Sequence, residues 1–265
     1  MEEFMPNKPK QPKRVEPKKW EHYELWKRVQ EALFALPGYF KTETSIEGIL
    51  ATDIFTLNAA LGATIEEQVV KTLNSMRPVW DPEKHYQAYS FVRQAQTFPD
   101  VLLRKKTNGT EILLGIELKG WYLLAKEGMP NFRFLTSPDA CNPWDLIVVV
   151  PWALSNILAG SPTTFNPFIE LARYAAEKRN YYWEFEKETK ENRGVILATG
   201  VKPYPVKSDS IADKAESDKG SNFGRLARYG IMDDYIETMT QLRISGITVK
   251  EWLAFFRKNA REVPE

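Results

Sequence analysis

The sequence is short of the residues that build several kinds of site. Cys141 is the single cysteine among 265 residues, so a disulfide framework and a thiolate metal cage are excluded, and we expect a reduced, buried thiol. His22 and His85 are isolated from each other, and we expect neither to bind a metal nor to act in catalysis. Any metal site must therefore use oxygen ligands, which favour Mg²⁺ or Mn²⁺ over zinc.

Long apolar runs and a net charge are also missing. No stretch reaches the roughly 18 apolar residues of a transmembrane helix, and the first ten residues lack the apolar segment of a signal peptide. We therefore expect a soluble, cytoplasmic protein without a membrane partner. The 36 basic residues nearly balance the 35 acidic ones, for a formal net charge of +1. Any affinity for nucleic acid must come from local patches.

Hydrophobic residues make up 43% of the chain, enough for the core of one globular domain over residues 20–265. Residues 6–19 combine six basic residues with four prolines, which predicts an extended basic arm over residues 1–19. Two roles stay open for this arm: contact with a DNA backbone, or a solubilising tail.

The pattern of apolar residues predicts an α/β domain with a central mixed sheet, flanked by helices and extended by helical N- and C-terminal elaborations. Asn108-Gly109 separates two strand-like runs and predicts a β-hairpin. Strands are expected at 98–106, 111–122, 145–152 and 194–201, and a mobile polar loop at 207–222. Helices are expected at 20–36, 46–74 with an interruption near Gly62, 166–183, 223–243 and 248–261.

The hairpin predicts a metal site. A two-residue Asn-Gly loop pairs residues whose numbers add to 217, so Asp100 lies opposite Glu117. Like charges opposed across two strands are destabilising unless a positive charge lies between them, and a divalent cation is the natural candidate. Lys119 shares a strand face with Glu117. The alternative is a plain salt bridge between Lys119 and one of the carboxylates.

Two neighbouring features add to this prediction. Gly115 and Gly120 are expected to leave room for a bulky substrate beside the strand. On the helix before the hairpin, Glu66 lies beside an apolar stripe that contains Ile65 and Val69, whereas Glu67 is rotated towards solvent. Glu66 is therefore expected to face the metal site, with an ordinary surface carboxylate as the alternative.

Pro99-Asp100, sixteen residues and then Glu117-Leu118-Lys119 resembles the PD-(D/E)XK nuclease signature. Shorter matches occur elsewhere, as at Glu16-Pro17-Lys18, but they lack the strand context. Further segments resemble type II restriction endonucleases of that superfamily, over roughly residues 60 to 235. They are Leu61-Gly62 with Glu66, and the stretches 132–152, 172–183 and 221–230.

The resemblance implies a restriction-endonuclease-like core at about 60–201, with a helical part at about 222–262. It implies that Asp100 and Glu117 bind Mg²⁺, that Lys119 positions or activates the attacking water, and that Glu66 helps to bind the metal or its water shell. These roles agree with the chemistry of metal-assisted phosphodiester hydrolysis.

The implied function is Mg²⁺-dependent cleavage of double-stranded DNA at a specific sequence by a homodimer, with a cognate DNA methyltransferase in the same system. A repair or branched-DNA nuclease and an inactive DNA-binding module are the alternatives. Arg133 and Arg225 are suited to grip guanine or phosphate, and Asn222 to touch a base. The alternatives for these three are ordinary surface residues and a helix N-cap.

Overall fold

The computed structural model describes residues 9–51, 53–94, 97–107, 111–130, 132–188, 193–218 and 222–259. The helices are α1 (Tyr23–Tyr39), α2 (Leu57–Ser75), α3 (Arg77–Trp80), α4 (Ala172–Tyr181), α5 (Asp233–Gln241) and α6 (Val249–Asn259). Short 3₁₀ helices lie at Ile54–Thr56, Pro138–Ala140 and Phe223–Arg228, and a π-helix at Tyr182–Glu186 continues α4.

The strands of the main sheet are β1 (Tyr89–Arg93), β2 (Val101–Lys105), β3 (Ile112–Tyr122), β4 (Leu146–Leu154), β5 (Pro162–Thr164) and β6 (Phe168–Leu171). Two small two-stranded sheets pair β7 (Val195–Ile196) with β8 (Lys214–Ala215), and β9 (Arg243–Ile244) with β10 (Ile247–Thr248).

The main sheet is mixed, which confirms the predicted class. Its strands run in the order β1-β2-β3-β4-β5, with β6 also paired to β4. The first three strands form an antiparallel meander, β3 and β4 are parallel, and β5 and β6 run antiparallel to β4. Helix α2 packs against β1 and β3, and α4 packs against β4. Helix α2 therefore lies against strand β3 of the β2–β3 hairpin.

Strand β4 is the centre of the core. All nine of its residues are buried, as the continuous apolar run predicts for a central strand. One hydrophobic core reaches from Leu33 of α1 through β4 to Phe256 of α6. Cys141 is a free, buried thiol, as predicted. Within the described ranges, no helix has both the length and the apolar character that a membrane span requires.

Three predicted elements are wrong. Residues 194–201 do not form a buried strand, because only Val195–Ile196 pair, with the two residues of β8, and Ile196 is 55% exposed. The helix expected from Asn166 begins at Ala172 instead, because Phe168–Leu171 extend the sheet beside β4. The expected loop at 207–222 contains β8 and the fully buried Asp213.

Other boundaries also differ from the prediction. Residues 46–53 are not helical where the structure describes them, and α2 begins at Leu57 and passes through Gly62 without a break. The helix expected at 223–243 is divided into a 3₁₀ helix and α5, with Gly230 at a φ of +71° between them. Strands β1, β5 and β6 were not predicted, because their sequences carry no clear alternation.

The N-terminal arm, described from residue 9 onwards, lies against the edge of the sheet. Arg14 donates to Glu170 of β6 over 2.7 Å, and Tyr181 at the end of α4 donates to the carbonyl of Pro9 over 3.1 Å. Arg14 also pairs with Glu16. This basic side chain therefore has acidic partners within the protein.

A buried ion pair connects α4 to the segment that follows β7. The guanidinium of Arg179 donates to Asp213 over 2.6 Å and to the carbonyls of Phe134 and Thr136, and both charged side chains are fully buried. Burial lowers the pKa of Arg179 to about 10, although the charge of Asp213 opposes this shift. The pair holds together three segments that are distant in sequence.

We predict that Asp213→Ala lowers the free energy of unfolding by about 3–5 kcal/mol, because it leaves a buried guanidinium without its counter-charge. Urea denaturation followed by circular dichroism measures this loss. Glu67→Ala is the control, since it removes an exposed carboxylate that pairs with Lys71, and it should leave the midpoint nearly unchanged. Similar midpoints for the two variants would contradict the assigned role of the buried pair.

Candidate metal centre

The register of the hairpin places Asp100 beside Glu117. Three pairs of β2 and β3 follow the predicted rule that the residue numbers add to 217: Val101 with Ile116, Leu102 with Gly115 and Leu103 with Leu114. Continued by one residue, this register sets Asp100 opposite Glu117. A β-bulge after Leu103 shifts the pairing nearer the loop, where Arg104 faces Ile112. The predicted register is thus confirmed at the site end and wrong beyond the bulge, and residues 108–110 of the loop lie outside the described residues.

Lys119 contacts both carboxylates. Its Nζ lies 2.6 Å from Oε1 of Glu117 and 3.4 Å from Oδ2 of Asp100. Since both distances share one atom, the two oxygens are at most about 6 Å apart, less than the spacing of diagonal neighbours in a sheet. The backbone N–H of Leu118 donates to Oδ2 of Asp100 over 2.9 Å, which fixes that carboxylate against β3.

The charges of the three groups act strongly on one another. Burial raises the pKa of Glu117 to about 7; the charge of Lys119 opposes this shift and that of Asp100 adds to it. Burial alone would lower the pKa of Lys119, but the charges of Glu117 and Asp100 outweigh it and hold that pKa above its usual value. Lys119 is therefore an ammonium ion, and the ionised set carries two negative charges against one positive charge.

Gly115 allows this arrangement. A Cβ at this position would lie 2.5 Å from Cγ of Pro99 and 3.0 Å from Oδ1 of Asp145, so no side chain fits between them. Its backbone N–H donates to the buried carboxylate of Asp145 over 2.8 Å. The ring of Pro99 can thus lie directly on β3, which brings the next residue, Asp100, to Glu117.

The prediction that Gly115 leaves room for a substrate is wrong. The space beside Gly115 is filled by Pro99 and Asp145, and a Cβ on Gly120 would lie 3.6 Å from Nε1 of Trp152. Gly115 therefore admits side chains of the protein itself, whereas a Cβ on Gly120 would make only an ordinary contact, and the prediction for Gly120 stays untested. Sequence reasoning did not find Asp145, although an acidic residue directly before a buried apolar strand is a usable signal.

Helix α2 separates Glu66 from Glu67 as the helical spacing predicts. The side chain of Glu66 is 24% exposed and accepts a hydrogen bond from Arg93 over 3.1 Å. That of Glu67 is 59% exposed and pairs with Lys71. Burial raises the pKa of Glu66, and the charge of Asp100 adds to the shift. Glu66 thus lies within the electrostatic reach of the hairpin site, and Arg93 is a partner that the sequence did not reveal.

The residues present fit Mg²⁺ better than a metal that needs a full protein cage. In the parts of the chain that the structure describes, no group of three His, Cys, Asp or Glu side chains is arranged as a metal site. Mg²⁺, however, keeps several waters and is commonly held by one or two carboxylates together with substrate phosphates. Asp100 and Glu117 supply two such carboxylates. Among the described residues, the hydrogen bonds to the Asp100 carboxylate use Oδ2, so Oδ1 is the oxygen that could bind a cation without breaking them.

The residues predicted to contact DNA lie near one another. Arg133 and Arg225 are exposed, and Cγ of Arg133 would lie 3.0 Å from a Cβ on Gly224, next to Arg225. Asn222 precedes the 3₁₀ helix, but its side chain makes no capping hydrogen bond there, and its backbone N–H donates to Asp218. Asn222 thus occupies the N-cap position of this 3₁₀ helix without a side-chain capping hydrogen bond.

We predict that Asp100→Asn and Glu117→Gln each weaken Mn²⁺ binding at least about tenfold, because each replaces an anionic ligand by a neutral amide. Isothermal titration calorimetry of the DNA-free protein measures this. Glu111→Gln is the matched control, since Glu111 pairs with Lys105 at the other end of the same hairpin. Unchanged Mn²⁺ binding in both site variants would mean that Asp100, Glu117 and Lys119 form only a salt bridge within the hairpin.

Comparison with known proteins found no match: no family model, no curated protein and no solved structure matches this chain. The function of the protein is therefore inferred from the geometry and the chemistry of the site.

Proposed function

We propose that this protein is a Mg²⁺-dependent endonuclease that hydrolyses phosphodiester bonds in double-stranded DNA, with a site of the PD-(D/E)XK kind. One observation carries the proposal: Lys119 Nζ contacts two carboxylates that face each other across neighbouring strands. A salt bridge needs only one carboxylate. A second one, held by a backbone hydrogen bond in a partly buried place, is costly unless it serves a cation.

Each residue has a distinct task in this proposal. Asp100 and Glu117 would hold the Mg²⁺, which offsets charge on the pentavalent phosphorane and lowers the pKa of a bound water. The Leu118 N–H keeps the Asp100 carboxylate oriented towards Glu117. Lys119, protonated because its pKa is raised, donates a hydrogen bond to the attacking water and to the phosphate oxygens. In this proposal, Lys119 therefore positions the attacking water.

Glu66 is proposed to act through the water shell of the cation. Its carboxylate is partly buried and feels the charge of Asp100, but Arg93 holds one of its oxygens. A carboxylate held in this way suits a hydrogen bond to a metal-bound water more than direct coordination.

We favour a type II restriction endonuclease, acting as a homodimer that cuts both strands and accompanied by a cognate DNA methyltransferase. Incubating the purified protein with plasmid and Mg²⁺ tests the proposal. Discrete fragments support restriction. Cleavage confined to branched or damaged DNA would mean a repair nuclease. Binding without cleavage would mean an inactive DNA-binding module.

We predict that Lys119→Ala lowers the rate of plasmid cleavage by at least about a hundredfold and leaves DNA affinity largely intact, because Lys119 acts on the transition state more than on the ground state. Single-turnover cleavage and fluorescence anisotropy measure the two quantities. Lys105→Ala is the control, since this lysine lies on the same hairpin in an exposed pair with Glu111. A Lys119→Ala enzyme that cuts at the wild-type rate would assign Lys119 to structure alone.

The two glutamates of α2 provide a matched comparison. Glu66→Ala should lower the cleavage rate or raise the Mg²⁺ concentration for half-maximal activity by about tenfold, because a partner of the metal's water shell is lost. Glu67→Ala should change neither value, since Glu67 pairs with Lys71 on the outer face. A titration of activity against Mg²⁺ measures both. Equal curves for the two variants would exclude Glu66 from the site.

A further inference from the structure

A cleft opens at the end of β3 that follows the candidate metal centre. Its volume is ≈ 320 Å³, and its walls include Phe55, Asn58, Trp121, Glu127, Arg225 and Arg228. Trp121 is two residues beyond Lys119, so the two side chains leave the same face of the strand. At about 3.3 Å per residue, the cleft begins roughly 7 Å from the lysine along the strand.

We propose that this cleft receives one base of the DNA, rotated out of the duplex, from a nucleotide next to the scissile phosphate. The inference rests on the proposed function and adds how the substrate is recognised. The volume lies near the lower end for small-molecule sites, so it suits a single nucleoside and excludes a base pair.

The floor of the cleft has the chemistry of a base-binding site. Trp121 is 1% exposed, and Phe55 contributes a second aromatic side chain. Extruded bases stack on aromatic and apolar side chains in this way. The indole Nε1 of Trp121 is buried and has no hydrogen-bond partner among the residues that the structure describes. Trp121 therefore closes the floor of the cleft, and the partly exposed ring of Phe55 is the aromatic surface that an extruded base can reach.

Polar groups on the walls complement a base edge. Oδ1 of Asn58 accepts a hydrogen bond from the backbone N–H of Tyr122 over 3.1 Å, which fixes the amide and leaves its Nδ2 to donate. Glu127 also lines the cleft, and a carboxylate accepts from the exocyclic amino group of cytosine or adenine. Donors and an acceptor together favour a base with an amino group over thymine.

The rim is positively charged. Arg225 is exposed, and Arg228 donates to the carbonyl of Pro130 over 3.3 Å and lies over the ring of Tyr229, which holds its guanidinium in place. On a chain with a formal net charge of only +1, two arginines at one cleft form a local basic patch. They are placed to bind the phosphates on either side of an extruded nucleotide.

Filling the cleft tests the proposal. Ala59 is exposed and lines the cleft, so Ala59→Trp fills it without removing a core contact. Ala60→Trp is the matched control, because Ala60 is the next residue of α2, is also exposed and is not part of the lining. After thermal unfolding has shown that both variants fold, Ala59→Trp should slow plasmid cleavage at least about tenfold, and Ala60→Trp less than about twofold.

A second measurement uses the wild-type protein. Once the cut position is mapped, a set of duplexes that contain this position is prepared. Each duplex carries one mismatch, made by changing one base of the opposite strand. Fluorescence anisotropy in Ca²⁺, without cleavage, then gives their affinities. Because a mismatched base leaves the stack more easily, one position beside the scissile phosphate should bind about tenfold tighter than the matched duplex. Ala59→Trp should abolish this gain.

The outcomes separate the two proposals. The base-binding role of the cleft would be overturned if Ala59→Trp and Ala60→Trp showed equal cleavage rates and equal gains in affinity from a mismatch. It would also be overturned if no mismatch raised the affinity of the wild-type protein. Either result would leave the proposed endonuclease function intact. A wild-type protein that neither binds nor cuts duplex DNA would overturn the proposed function and, with it, the role of the cleft.

Discussion

The repulsion between Asp100 and Glu117 is the constraint to which the surrounding structure responds. Two carboxylates within about 6 Å, one of them mostly buried, would separate or take up a proton without a compensating charge. Burial raises the pKa of Glu117 to about 7, and the charge of Asp100 adds to this shift. Lys119 offsets part of it, and a hydrogen bond from the backbone N–H of Leu118 holds Asp100 in place. The two carboxylates are therefore held together by Lys119 and by the backbone of β3.

The fold provides the rigidity that such a site requires. Strand β3 lies between β2, which begins directly after Asp100, and β4, which is buried along its whole length. Asp145, directly before β4, accepts hydrogen bonds from the backbone of Gly115 and from the hydroxyl of Tyr204. This buried carboxylate connects the start of β4 to β3 two residues from Glu117. Helix α2 packs on the same region and carries Glu66 towards it.

The hairpin and the central strand could be predicted because their signals are local. Strand alternation places Glu117 and Lys119 on one face, and helical spacing separates Glu66 from Glu67. The register was correct at the site, but the β-bulge after Leu103 shows that it does not follow from a two-residue loop alone. An inserted residue of this kind depends on packing across the sheet, which a single strand sequence does not encode.

The missed features all depend on contacts between distant segments. Arg93 pairs with Glu66 across 27 positions, and Asp145 bonds to Gly115 across 30. The polar segment around Asp213 has the composition of a loop, yet Asp213 is buried because Arg179 requires a counter-charge. The apolar run at 194–201 had the composition of a core strand but pairs only with the short β8. The composition of a segment indicates which of its residues can be buried, but the segments that pack against it determine which of them are buried.

The most direct test of the central claim is crystallography of the protein soaked in Mn²⁺, with data collected for anomalous scattering. We predict a single anomalous peak within about 2.2 Å of carboxylate oxygens of both Asp100 and Glu117, with Lys119 displaced from its bond to Glu117. A map without a peak at this position, in which Lys119 keeps both of its carboxylate contacts, would contradict the claim that the hairpin is a metal centre.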